Sequence, residues 1–170
     1  MRAIAAVYNW LIAALAVLAG AAIAVAFILI IVDVGIRTIG FRPPAFTSAV
    51  VEYILLYFTL LSAPYLVRQK SHVCVDALTT RLQGRARWGL EKLVYSICIL
   101  TALAFAYFGF DLFIDAVRDG RSEERSIDVP LWIGYAALAP TFVLVAIEFA
   151  RFLIGRDSLY SDKAQVSDSV

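Results

Sequence analysis

The chain has 170 residues, of which 62% are hydrophobic and only 17% charged, with a formal net charge of +1 at pH 7. An ordinary soluble domain carries charge on about a quarter of its residues. The charges here cluster between long apolar runs, which leaves no room for a soluble catalytic domain. No basic block is long enough to indicate binding to nucleic acid.

Four apolar runs, taken in chain order, are each long enough to cross a bilayer. A helix needs about 20 apolar residues to cross a hydrocarbon core of about 30 Å. We therefore predict an all-α integral membrane fold, with a transmembrane domain over residues 1–154 and a polar tail over residues 155–170. The four predicted spans cover about residues 7–32, 46–67, 90–114 and 131–154.

The first run starts close to the N-terminus, but it does not have the length of a cleavable signal peptide. No charge occurs between Ala3 and Val32. The apolar region of a signal peptide has only about 7–15 residues. We expect this run to remain in the protein as its first transmembrane helix.

The fourth predicted span contains a proline near its middle. Pro140 has no backbone N–H, so it cannot donate a hydrogen bond to the carbonyl of Ala136, four residues earlier. We expect a kink in the span at this point.

The segment between the second and third spans predicts a short amphipathic helix over about residues 73–84. Its apolar residues Val75, Leu78 and Leu82 recur at spacings of three and four. The helix is too short to cross the membrane, so it should lie in the interface on anionic headgroups. The candidate headgroup anchors are Arg81, Arg85 and Arg87.

The positions of lysine and arginine predict that both chain termini are cytoplasmic. Cytoplasmic loops of membrane proteins carry an excess of these residues. With the N-terminus inside, ten lysine and arginine residues lie on the cytoplasmic side and five on the other. The five outer residues are Arg37, Arg42, Arg118, Arg121 and Arg125.

Glu52 is the one charged residue well inside an apolar run. A charge within a membrane span is a candidate functional residue, because placing it in lipid is costly. Glu52 could bind a proton or a cation. It could equally pair with Arg37 or Arg42, or with a residue of a partner subunit.

Acidic and basic residues also meet at the outer end of the third span. Asp111 and Asp115 are one helical turn apart and could bind a cation or pair with Arg118. The loop that follows, residues 117–128, is either a plain solvated loop or a docking surface for a periplasmic partner. The candidate docking residues are Arg118, Arg121, Glu123, Glu124 and Arg125.

The sequence lacks the side-chain sets that catalysis or cofactor binding would require. His72 is the single histidine, so the chain cannot supply two axial haem ligands or a histidine-rich metal site. Cys74 and Cys98 form no CxxC motif. We therefore expect no enzymatic activity, no metal site and no cofactor.

Several motifs together resemble the small membrane subunit of tripartite ATP-independent periplasmic (TRAP) transporters. The motifs are Glu52-Tyr53, residues 60–65 (LLSAPY), Arg68, residues 72–76 (HVCVD), Gly120, residues 129–132 (VPLW) and Ala139-Pro140. The resemblance covers about residues 37–151. The family usually has glycine where Ser62 and Thr141 stand, and both are packing positions.

The resemblance implies a role in transport. Such transporters combine a periplasmic solute-binding protein, a large membrane subunit that holds the substrate and sodium sites, and a small membrane subunit. This chain would then be the small, non-catalytic scaffold subunit, in the bacterial inner membrane, of a system that imports organic acids with a sodium gradient. The residues implied to be structural or interfacial are Glu52, Arg68, His72, Asp76, Pro130, Trp132 and Pro140.

Two alternatives stay open at this point. One is an autonomous, homodimeric, proton-coupled exporter of small molecules that uses Glu52. Four-span exporters of that kind carry their glutamate in the first span, where this chain has no charge. The other is a membrane enzyme or redox carrier.

Overall fold

Long helices make up most of the computed structural model. It describes residues 2–42, 44, 46–69, 85–120, 122–124 and 128–154. The helices are α1 (Arg2–Thr38), α2 (Phe46–Arg68), α3 (Arg85–Asp119), α4 (Leu131–Tyr135) and α5 (Leu138–Ile154). Two short strands, β1 (Ser122–Glu124) and β2 (Asp128–Pro130), lie between α3 and α4.

Four helical segments are long and apolar enough to cross a membrane, which confirms the predicted all-α membrane fold. Helices α4 and α5 together form the fourth of them, Leu131–Ile154, a span of 24 residues. The interfacial helix predicted over residues 73–84 and the tail over residues 155–170 lie outside the described residues. The other three spans are Ala6–Thr38, Phe46–Arg68 and Gly89–Asp119.

Helix α1 continues past its predicted end as far as Thr38. Asp33 and Arg37 lie one turn apart and form an ion pair, with Arg37 Nε donating to Asp33 Oδ2 at 2.8 Å. The Thr38 hydroxyl donates to the carbonyl of Val34, also at 2.8 Å. These contacts support the last turns of the helix, which gives way to a turn at Gly40, where φ is 88°.

A short antiparallel hairpin occupies the segment that the sequence indicated to be a loop. Ser122 of β1 lies opposite Pro130 of β2, and Glu124 lies opposite Asp128. Gly120, with φ 57°, allows the chain to turn out of α3 before β1 begins. Because β2 leads directly into α4, the hairpin sets the point at which the fourth span begins.

The fourth span is interrupted by a turn at Ala136 and Ala137. Pro140 is the third residue of α5 and has no N–H to donate to the Ala136 carbonyl, so the interruption lies one helical turn before the proline. Hydrogen bonds of the α-helical type continue on both sides. The N–H of Ala136 donates to Trp132 at 2.9 Å, and that of Thr141 donates to Ala137 at 3.2 Å.

The helices pack in two pairs. Helix α1 packs along α2, α3 packs along α5, and contacts between α2 and α5 join the two pairs. The main core lies where α2, α3 and α5 meet, around Val67, Tyr95 and Val145. Ala102 and Ala146 are buried in the same core, and their small side chains allow the helices to approach closely in lipid.

Helix α3 passes very close to the interrupted span at Gly109. A Cβ atom built on Gly109 would lie 2.9 Å from the Cβ of Leu138 and 3.4 Å from the backbone nitrogen of Ala139. Carbon atoms in proteins do not normally approach within 3 Å, since their optimal separation is about 3.5–4.0 Å. Glycine is therefore required for α3 to reach the first turn of α5.

We expect Gly109→Ala to destabilise the protein by about 1–3 kcal/mol, because the added methyl group overpacks the contact with Leu138. The matched control is Gly20→Ala in α1, where no atom lies within 4 Å of the added Cβ. Unfolding of both variants in mixed detergent micelles, followed by tryptophan fluorescence, measures the difference. Equal stability of the two variants would contradict the close packing at Gly109.

Candidate functional site

Polar side chains are concentrated at the two ends of the helical bundle. We call one of them the terminal end, where α1 begins and α5 finishes, with Tyr8 and Arg151. The other is the hairpin end, where α1 finishes and α2 begins, with Asp33, Glu52 and the β1–β2 hairpin. Each end contains candidate functional residues, and the two differ in character.

At the hairpin end, Glu52 lies on the exposed side of α2. Ser48, one turn before it, and Leu55 and Leu56, one turn after it, share this exposure because residues three and four apart lie on one face of a helix. The structure therefore directs the Glu52 side chain away from the core of the bundle.

Two grooves flank Glu52, one on each side of α2. The α2–α4 groove has a volume of about 260 Å³ and runs between α2 and the interrupted fourth span, past Tyr53, Gly134 and Tyr135. The α1–α2 groove has a volume of about 350 Å³ and includes Asp33 as well as Glu52. Both grooves open to the surface that a bilayer or a partner would cover.

Asp33 places a second carboxylate in the α1–α2 groove. Its Oδ2 atom accepts the bond from Arg37, and its side chain is 14% exposed. Its Oδ1 atom is buried and has no hydrogen-bond partner among the described residues. Leaving a buried carboxylate oxygen without a donor is unfavourable.

Helix α2 also contacts the interrupted span directly. The hydroxyl of Tyr57 donates a hydrogen bond to the carbonyl of Ile133 at 2.5 Å. Backbone groups near a break in a membrane helix need partners from neighbouring side chains, since lipid offers none. The contact links α2 to α4 and positions the wall of the α2–α4 groove.

At the terminal end, Glu148 is a buried charge that the sequence analysis missed. Glu148 is 1% exposed, and both of its carboxylate oxygens accept hydrogen bonds from Arg151 Nη1 at 3.2 Å. The Arg151 guanidinium lies over the ring of Tyr8, 5.6 Å from its centroid, which joins α5 to α1. The i, i+3 spacing of Glu148 and Arg151 at the end of an apolar run is the signal that could have identified the pair.

Two further contacts at the terminal end join neighbouring helices. Arg68 at the end of α2 donates from Nη2 to Oδ1 of Asn9 on α1. Lys92 of α3 donates from Nζ to the carbonyl of Leu153, in the last turn of α5. The last carbonyls of a helix lack partners within the helix and attract cations, so Lys92 stabilises the end of the fourth span.

The predicted interface residues are therefore spread over both ends of the bundle. Arg68 lies at the terminal end, whereas Glu52 lies at the hairpin end. Pro130 ends β2 with φ −57° and ψ 127°, an extended conformation that precedes the first turn of α4. Trp132 and Pro140 are exposed on the fourth span. These residues form no single cluster.

The remaining candidates lie in α3, in the hairpin or outside the described residues. Asp111, Asp115 and Arg118 are exposed on the last turns of α3. Arg85 and Arg87 lie in the first turn of α3, and Glu123 and Glu124 lie in β1. The candidates outside the described residues are His72, Asp76, Arg81, Arg121 and Arg125.

We expect Tyr57→Phe to destabilise the protein by about 0.5–1.5 kcal/mol, because it removes the donor that the Ile133 carbonyl uses. Tyr107→Phe on the exposed surface of α3 is the control and should have almost no effect. Denaturant titration in mixed micelles measures both variants. An equal effect of the two changes would show that the hydroxyl of Tyr57 contributes nothing specific.

We expect Arg151→Ala to destabilise the protein by about 1–3 kcal/mol, because the buried Glu148 carboxylate loses its charged donor. In a Glu148→Gln background the same change should cost less, since no buried charge is left without a partner. The double-mutant cycle should therefore give a coupling energy above about 0.5 kcal/mol. Additive effects of the two substitutions would rule out this coupling.

Comparison with known protein families shows what this chain is similar to. The family described as "Tripartite ATP-independent periplasmic transporters, DctQ component" matches residues 26–158. This range extends from within α1 to just past the end of α5, and it includes both grooves and the contacts of Glu148. No curated protein sequence matches the chain. The motifs of α2 and of the fourth span, together with this match, show that the chain belongs to the DctQ family, the small membrane subunits of TRAP transporters.

Proposed function

We propose that this chain is the non-catalytic scaffold subunit of a TRAP transporter that imports organic acids with a sodium gradient. Its partners are a large multi-span membrane subunit, which carries the substrate and sodium sites, and a periplasmic solute-binding protein. Membership of a tripartite transporter family supports the presence of further subunits.

The main support for the scaffold role is the apolar packing of the bundle interior. Where α2, α3 and α5 meet, the described core consists of residues such as Val67, Val145 and Phe149. A carrier needs polar groups along the path of its substrate. The buried acidic residues among those the structure describes, Glu91 and Glu148, lie in the terminal half of the bundle, and Glu148 is neutralised by Arg151.

We further propose that the protein lies in the bacterial inner membrane with its terminal end in the cytoplasm. Cytoplasmic segments carry the excess of lysine and arginine, which supports this orientation. Among the described residues, the terminal end has Arg2, Arg68, Arg85, Arg87, Lys92 and Arg151, whereas the hairpin end has Arg37, Arg42 and Arg118. Arg81, Arg85 and Arg87 would then bind lipid headgroups at the cytoplasmic surface.

In this orientation the β1–β2 hairpin faces the periplasm and is our proposed docking position for the solute-binding protein. Pairing of β1 with β2 gives Glu123 and Glu124 a defined backbone position. Arg118 is exposed at the end of α3 close to the hairpin in sequence. Arg121 and Arg125 are proposed to extend this charged surface.

The alternative of an autonomous exporter that uses Glu52 receives less support. Glu52 lies on the exposed side of α2 and not in the interior of the bundle. The family to which the chain belongs is that of a component of a multi-protein transporter.

The proposal is tested by purifying the tagged chain from gently solubilised membranes that also contain a large membrane subunit of a TRAP transporter. We expect the two proteins to co-purify in a fixed ratio. In proteoliposomes, uptake of organic acids such as dicarboxylates or sialic acid should require both membrane proteins, the binding protein and a sodium gradient. Recovery of this chain alone, with transport activity of its own, would overturn the proposal.

A further inference from the structure

The terminal end of the bundle brings two arginines, from two different helices, to consecutive residues of α1. Arg68, the last residue of α2, donates from Nη2 to Oδ1 of Asn9. The guanidinium of Arg151, from α5, lies over the ring of Tyr8, 5.6 Å from its centroid. Three spans therefore meet at one cationic site. We call it the arginine site and define it as Tyr8, Asn9, Arg68, Glu148 and Arg151.

The charges of the arginine site do not cancel. Glu148 is buried and accepts both bonds from Arg151 Nη1, so it balances one of the two guanidinium charges. The terminal end as a whole also has an excess of positive charge among its described residues. Its acidic residues are Glu91 and Glu148, and its basic residues are Arg2, Arg68, Arg85, Arg87, Lys92 and Arg151. The site therefore attracts an anion.

Both guanidinium groups keep N–H groups available to such an anion. A guanidinium has five N–H donors in a planar fork. In the described part of the chain, Arg68 donates only from Nη2 and Arg151 only from Nη1. The Arg151 side chain is 50% exposed and Arg68 is half-buried, so both can be reached from outside the bundle. Planar forks of this kind match the oxygens of a phosphate group.

The level of the site in the membrane indicates where the phosphate comes from. Arg68 ends the second span, and Arg151 lies in the last turn of the fourth, at the depth where phospholipid headgroups begin. Trp10 of α1 is 72% exposed, as is typical of aromatic residues at this depth. Further into the membrane, Val17 on α1 and Ile147 on α5 expose apolar side chains. A phospholipid can therefore place its phosphate on the arginines and an acyl chain on this apolar surface.

We propose that the arginine site binds the phosphate group of an anionic phospholipid, whose oxygens accept hydrogen bonds from Arg68 and Arg151. In the proposed orientation this lipid belongs to the cytoplasmic leaflet, which has a negative surface potential. The inference requires neither the scaffold role nor a partner subunit. The site is separate from the predicted headgroup anchors of residues 81–87, because it joins α1, α2 and α5.

The first experiment measures lipid retention by native mass spectrometry of the purified chain in neutral detergent. The chain is supplied with equal amounts of phosphatidylglycerol and phosphatidylcholine. We expect the wild type to retain phosphatidylglycerol in preference, and Arg68→Gln to lower this retention about fivefold. The matched control is Arg37→Gln at the hairpin end, which removes an exposed arginine and should leave retention unchanged. Helical content and gel filtration verify the folding of each variant.

The second experiment separates binding by the guanidinium groups from attraction by net charge. Glu148→Gln combined with Arg151→Gln removes one charge of each sign, so the net charge of the site is unchanged. We expect this double variant to retain about fivefold less phosphatidylglycerol. Glu148→Gln alone keeps both arginines and should retain at least as much as the wild type. Full retention by the double variant would overturn the proposed role of Arg151.

Inorganic phosphate distinguishes a lipid headgroup from a soluble anion, because it offers the same oxygens without an acyl chain. We expect inorganic phosphate, added at the concentration of phosphatidylglycerol, to displace almost none of the retained lipid. Displacement of half of it would assign the site to a soluble phosphate and overturn the lipid.

Crosslinking in membranes that contain the whole transporter tests the occupant. A photoreactive amino acid at position 10, next to Asn9, should crosslink to phospholipid. A crosslink to another protein, or to a second copy of this chain, would overturn the proposed occupant. Equal retention of the two lipids by the wild type would overturn the site itself. Failure of the transporter subunits to co-purify would contradict the scaffold role and leave this inference intact.

Discussion

Within a bilayer every backbone polar group must find its partner inside the protein, and this requirement is strictest at the interruption of the fourth span. Pro140 leaves the Ala136 carbonyl without its usual donor. The hydroxyl of Tyr57 on α2 donates a hydrogen bond to the Ile133 carbonyl near the break, and α3 approaches the same region at Gly109. Both neighbouring helices therefore contact the chain near the break, and the α2–α4 groove is lined by residues from both sides of it, among them Gly134, Tyr135 and Leu138.

The terminal end follows a different principle, in which side-chain charges hold helix ends together. Asn9 with Arg68, Tyr8 with Arg151, and Lys92 with the end of α5 connect the four spans in sequence α2, α1, α5 and α3. Helix α1 depends on these contacts, because outside its packing on α2 it has few neighbours.

The two ends also differ in where their carboxylates lie. At the terminal end Glu148 is buried and paired with Arg151, whereas at the hairpin end Asp33, which pairs with Arg37, and Glu52 line a groove that opens outward. The exposed surfaces of α2 and α3 both combine apolar residues with hydroxyl groups, which are Ser48 and Thr59 on α2 and Ser96 and Thr101 on α3.

The sequence by itself determined the four spans from the length of the apolar runs, and the family from local motifs. It also indicated a disturbed helix near Pro140 from the missing N–H. None of these features depends on contacts between distant residues. It could not reveal that α1 continues through the Asp33–Arg37 pair, or that a hairpin precedes α4. Only the tertiary structure decided that Glu148 is buried against Arg151 and Tyr8, and that Glu52 points outward between two grooves. Helical periodicity places residues on one face of a helix, but which face meets a neighbour is decided by how the helices pack.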